Sequence, residues 1–174
     1  MADERPFWSA TAESVLALAA SAGVTVATAE SVTGGRVAAA LTSVPGASAV
    51  VRGGIVAYSN EVKAGLLGVD PAELAEHGPV SAQVAAQMAA GARARLGASY
   101  AVATTGEAGP DPASGAAVGT VHIAVSGPTT TETRALSLGD VGRERIQQQG
   151  AAAALDLLGQ ALRHHGRPSP ADRG

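Results

Sequence analysis

The chain has no cysteine and only one lysine, Lys63, among 174 residues. Without a thiol there is no disulfide framework, no thiolate metal site and no cysteine nucleophile. Nucleophilic chemistry is therefore left to Ser, Thr, Lys or a carboxylate. Aromatic residues make up 2%, too few for the stacking platforms used on RNA or single-stranded DNA. Twelve Lys and Arg against 15 Asp and Glu give a net charge of −3, which lacks the basic footprint of a nucleic-acid binder. There is no 18-residue apolar run and no charged-then-apolar leader. The expectation is a cytoplasmic protein with neither a membrane nor a nucleic acid as partner.

What is present is an alternation of apolar runs and helical periods, on a scale that fits one domain. Residues 1–7 read as a flexible lead-in, 8–165 as the folded domain and 166–174 as a disordered tail. A helix is predicted from Trp8 to Ala22, stopped by Gly23, with Ala12, Val15, Leu16 and Ala19 on one face. Val24–Glu30 has the unbroken apolar character of a central strand, and a second helix is expected from about Thr33 to Ser43. Val50–Tyr58 reads as a strand interrupted by Gly53-Gly54. Asn60 and Asp70-Pro71 open short helices, and Ser81 caps a longer one bearing Val84, Met88, Ala92 and Leu96. Tyr100–Thr105 is a buried strand, and 106–117 is a loop long enough to be functional. Val121, Ile123 and Val125 mark a two-faced strand. Thr130–Leu138 suits an edge, and a final helix runs from about Arg143 to His164. The pattern predicts a three-layer α/β/α sandwich with a mixed, mostly parallel sheet.

The chain's organising stretch is Thr28-Ala29-Glu30-Ser31-Val32-Thr33-Gly34-Gly35, a strand, a tight turn and a helix start. Ser31 or Thr33 there can simply cap the helix. Alternatively, Ser31 is a nucleophile whose oxyanion is received by the N–H groups of the turn. It lacks the Gly-x-Ser-x-Gly setting of a hydrolase elbow. Lys63 lies just after a strand end in the first turn of a helix. A free lysine titrates at about 10.4 and is no base at neutral pH, but burial and a helix N-terminus favour the neutral amine. It either projects into water or pairs with Ser31 at the strand ends where ligands of open sheets gather. Arg143 and Arg145 open the last helix. Arg143 fits a phosphate there, or an ion pair with Glu144 or Asp140. The four histidines, His77, His122, His164 and His165, leave a Ser–His pairing open, though nothing in their placement prompts one.

Taken in order, the segments TAESVTGG (28–35), LTSVPGAS (41–48), GGIVAYSNEVKAGLLGV (53–69), HGPVS (77–81), TTGEAGP (104–110) and VGTV (118–121) resemble the CinA C-terminal domain family. These are the nicotinamide mononucleotide deamidases, and the chain is similar to their stand-alone form. The resemblance implies hydrolysis of the nucleotide's carboxamide to nicotinic acid mononucleotide and ammonia, with no metal and no cofactor. It implies Ser31 as nucleophile, Lys63 as base and Tyr58 close to the pair. It also implies a substrate site drawn from Glu30, Val32, Thr33, Gly34, Gly35, Thr105, Gly106, Glu107 and Arg143, and a homodimer. The sequence departs from the family pattern where Val32 replaces a cysteine and Glu107 replaces an apolar residue. It departs again where Gly139-Asp140-Val141-Gly142-Arg143 expands a Gly-Asp-Arg and Gln147 replaces an arginine. A non-catalytic nucleotide-binding module, or a hydrolase of another small amide, are the alternatives.

Overall fold

The structure, a computed structural model, describes residues 9–165. The expectations for 1–7, Trp8 and 166–174 lie outside the described residues. Six helices, α1 (Ser9–Ala22), α2 (Arg36–Thr42), α3 (Asn60–Leu67), α4 (Pro71–His77), α5 (Ala82–Leu96) and α6 (Arg143–Arg163), surround five strands. These are β1 (Val26–Glu30), β2 (Val51–Val56), β3 (Tyr100–Gly106), β4 (Thr120–Ser126) and β5 (Thr131–Ser137). The sheet order is β2-β1-β3-β4-β5. β1 is parallel to both β2 and β3, while β4 is antiparallel to β3 and β5, so four of the five strands run one way. The predicted mixed α/β sandwich is what forms, with β1 central and β5 at an edge.

Side-chain alternation divides the core into two layers. Val26, Val102, Val121, Ile123 and Val125 face α1, α2 and α6, which contribute Val15, Leu41, Ile146, Leu155 and Leu158. The other face carries Ala27, Ala29, Ala101, Ala103 and Ala124 under Val84, Ala85, Met88 and Ala89 of α5. Alanine at each of these strand positions lets α5 settle close to the sheet, and burial of the branched residues on the first face supplies most of the apolar stabilisation.

Several boundaries move for identifiable reasons. Residues 33–35 form a turn rather than the first turn of α2, because Gly34 and Gly35 adopt positive φ of 60° and 96°. β2 is shorter than Val50–Tyr58, since a short 3-10 turn at Ala47–Ala49 precedes it. Ser59, not Asn60, caps α3, its side chain accepting from the Val62 N–H. Asp70 and Ser81 cap α4 and α5 as their residue types predict. His77 closes α4 near Glu73, and His165 Nδ1 meets the Tyr100 hydroxyl at 2.9 Å.

Candidate active site

Ser31 follows β1 directly, and its N–H extends the pairing with β3 by donating to the Thr104 carbonyl at 2.9 Å. The Gly34 N–H returns to the Ser31 carbonyl at 3.1 Å, closing the turn. Beneath it lies Glu30, 1% exposed. Its carboxylate accepts from the Thr33 hydroxyl (2.7 Å) and from the N–H groups of Gly35 (2.9 Å), Val37 (3.0 Å) and Ala38 (2.8 Å). The anion that a helix N-terminus attracts is therefore already built in. Neither Ser31 nor Thr33 acts as the cap. The residue at the cap position is Gly35, which has no side chain to contribute. Thr33 is tied inward as well, to the Thr104 hydroxyl at 2.7 Å. The N–H groups of Val32 and Thr33 have no acceptor among the described residues. Those of Gly34 and Gly35 are occupied, which narrows the expected oxyanion donors to Val32 and Thr33.

Lys63 arrives from the neighbouring strand. The Ala57 N–H donates to the Glu30 carbonyl at 2.8 Å, carrying the β1–β2 pairing past the end of β2. The chain then reverses at Tyr58-Ser59 into α3. Ser31 and Lys63 thus each stand just beyond the C-terminal ends of adjacent parallel strands, as ligand-binding residues do in open α/β sheets. Lys63 is 2% exposed, and its Nζ donates to the Tyr58 carbonyl at 3.5 Å. Among the described residues no carboxylate lies within ion-pair distance of it. Burial without a counter-charge holds the amine below the usual lysine value. No hydrogen bond joins Ser31 Oγ to Lys63 Nζ among the described residues. Such catalytic contacts commonly tighten only around substrate.

The remaining wall comes from the end of β3. The Thr105 hydroxyl donates to the Pro79 carbonyl at 2.6 Å, fixing the segment that leads into α5. Glu107 then holds its own loop, accepting from the Gly109 N–H (3.2 Å) and from the N–H and hydroxyl of Ser114 (3.0 and 2.8 Å). Burial would raise this carboxyl, but the hydrogen bonds from Ser114 and Gly109 outweigh it and leave it below the ordinary range. Arg143, at the start of α6, donates to the Gly109 carbonyl at 2.7 Å and to the Tyr58 hydroxyl. Neither Glu144 nor Asp140 pairs with it.

Of the residues singled out in the sequence, Ser31, Val32, Tyr58, Lys63, Thr105, Gly106, Glu107 and Arg143 line one cavity of about 270 Å³. Glu30, Thr33, Gly34 and Gly35 do not line it; they hold its floor turn in place. Sequence reasoning missed Asn60, Pro79, Val80, Ala108, Gly109, Asp111, Ala113 and Ser114 on the cavity wall. The quoted segment 77–81 could have signalled Pro79 and Val80. Nothing local marks Ser114, which reaches Glu107 across seven positions of loop. Together the wall offers a hydroxyl, a dehydrated amine, the Val32 amide and a rim guanidinium, with the Thr33 amide in the floor turn behind it, the set needed for acyl transfer from an anionic substrate.

Comparison with known proteins identifies the family and the fold. Residues 9–162 match the family described as CinA C-terminal domain. A CinA-like protein of Frankia casuarinae is 54% identical over 149 residues, covering 85% of this chain and 34% of that protein. One from Parasynechococcus marenigrum is 52% identical over 151 residues, covering 85% and 36%. The chain therefore spans about a third of the length of these curated relatives. The crystal structure of a competence/damage-inducible protein from Agrobacterium tumefaciens superimposes with a TM-score of 0.87 at 39% identity, covering 94% of this chain and 99% of that one. The chain belongs to the CinA C-terminal domain family.

Proposed function

We propose that the chain is an amidohydrolase that converts nicotinamide mononucleotide to nicotinic acid mononucleotide and ammonia. The observation that carries this reading is Lys63: a lysine buried without a carboxylate partner, on the wall of a cavity that also presents Ser31. Ser31 Oγ attacks the carboxamide carbon while neutral Lys63 takes its proton. The N–H groups of Val32 and Thr33 receive the developing oxyanion. The lysinium then gives its proton to the departing ammonia, and a water deprotonated by the same amine hydrolyses the ester. Arg143 supplies a fixed cation for the phosphate. Family resemblance extends the reading to a cytoplasmic homodimer, which light scattering on the purified chain would test.

Ammonia release from nicotinamide mononucleotide is the direct measurement, with Ser31→Ala and Lys63→Met in parallel. We expect release by the parent and a loss of at least about a hundredfold in kcat for each variant, the scale on which general bases and nucleophiles act. In the parent, kcat/KM should rise with pH as Lys63 loses its proton. Parent-like turnover by Lys63→Met would overturn the assignment of the base.

A further inference from the structure

Lys63 is the only lysine in the chain, and its amine combines three properties rarely found together. It is almost wholly dehydrated at 2% exposure, it lines a cavity, and its hydrogen-bond partner among the described residues is the neutral carbonyl of Tyr58. An amine in this setting keeps its lone pair available for addition to a carbonyl carbon, the chemistry for which enzymes bury lysines. Among the described residues Arg143 is held on the rim of the same cavity by neutral oxygens, the Gly109 carbonyl and the Tyr58 hydroxyl, with no carboxylate paired to it, so its charge is left for an anion. Tyr58 touches both groups, Lys63 through its backbone carbonyl and Arg143 through its hydroxyl. The amine and the guanidinium are thus separated by about the span of one tyrosine.

We propose that this cavity is a covalent capture site in which Lys63 condenses reversibly with a small phosphorylated aldehyde whose phosphate is held by Arg143. The amine lone pair adds to the aldehyde carbon and the carbonyl oxygen takes up a proton. Loss of water then breaks the C–O bond and leaves a C=N bond, and the amine's two protons depart with the oxygen. No electron is gained or lost and no co-reactant is consumed, so dilution reverses the step. While the imine stands, Lys63 cannot serve as a base, and the captured aldehyde would act as an inhibitor. Capture requires only a reachable neutral amine and is independent of whether Ser31 cleaves amides.

The single lysine makes the test clean, because in the purified chain the only other primary amine is the N-terminal α-amine, which peptide mapping separates from Lys63. The full chain is incubated at neutral pH with pyridoxal 5′-phosphate, reduced with borohydride, and mapped by intact mass and peptide digestion. We expect one adduct on the Lys63 peptide, formed at least about tenfold faster in the folded chain than in the same chain in denaturant, because the neutral fraction of an amine sets its rate. Ser31→Ala should be labelled like the parent, even if neither releases ammonia from the nucleotide. Arg143→Ala, and separately inorganic phosphate added to the parent, should raise the concentration for half-labelling several-fold with pyridoxal 5′-phosphate and leave it unchanged with pyridoxal. An adduct confined to the N-terminal α-amine, or Lys63 labelling no faster in the folded chain, would overturn the capture site. An equal response of the two aldehydes would overturn the role of Arg143.

Discussion

At Glu107 a carboxylate sits 8% exposed among three donors, two N–H groups and one hydroxyl, all from residues of its own loop. Hydrogen bonds to an ionised acceptor are among the stronger polar contacts, each worth about 1.5–3 kcal/mol. Glutamine keeps one acceptor oxygen and turns an NH2 group towards donors, so Glu107→Gln leaves at least one of them unmatched. We expect Glu107→Gln to lower stability by about 1–2 kcal/mol. If the proposed amidase activity holds, KM should rise several-fold with kcat within about twofold, because the substrate wall loosens while Ser31 and Lys63 keep their places. A fall in kcat at constant KM would contradict this. Lys63 could be noticed in the sequence because it stands alone and follows a strand end. The meaning of Glu107 could not, since a carboxylate's role depends on which donors surround it, and Ser114 reaches it only through the folded loop. Glu30 was legible as part of the site segment, but its bonds to four donors of the turn and of α2 depend on the positive φ of Gly34 and Gly35.

Among the elements, α3 carries Lys63, the proposed base, and its position is set from behind by α5. A Cβ built on Gly91 of α5 would lie 1.8 Å from the Leu67 carbonyl oxygen at the end of α3. Leu67 is one helical turn beyond Lys63, so whatever displaces it displaces the amine. Alanine ordinarily favours a helix interior over glycine by roughly 0.5–1 kcal/mol, but here overpacking of about 1–3 kcal/mol opposes that gain. Gly91→Ala should therefore lower Tm by roughly 2–8 °C and reduce turnover without touching the cavity. A Tm above the parent's would show that α3 gives way freely. Helix identities and most caps were readable from spacing and residue type. Two things were not: the start of α2, which a buried carboxylate and two glycines set, and the contact at Gly91, where the reason for a mid-helix glycine lies on another helix.

The molecule as a whole gathers several groups that the fold makes more acidic than usual, and their effects on stability have the same sign. Burial lowers Lys63 and His122, and the bonds from its loop lower Glu107 against its burial. In each case the unfolded chain holds its proton to a higher pH than the folded one, so stability rises with pH between the folded and unfolded values. The upper ends of these windows lie near the ordinary values, about 4.3 for Glu107, about 6.5 for His122 and about 10.4 for Lys63. Tyr100 has the opposite sign, raised by burial and by the charge of Glu132, and weakens the fold only above its ordinary value of about 10. Calorimetry at constant ionic strength should thus show Tm still climbing above about pH 7, past the range where most small proteins level off. Lys63→Met removes the last of these windows. It should raise Tm at neutral pH, because the cost of charging a dehydrated amine is gone, and flatten the alkaline climb. A parent curve already flat above about pH 7 would mean that Lys63 titrates as an ordinary surface lysine. The lone lysine is visible in the sequence, whereas its loss of solvent arises only when α3 packs on α5 and the chain reversal at Tyr58 folds over it.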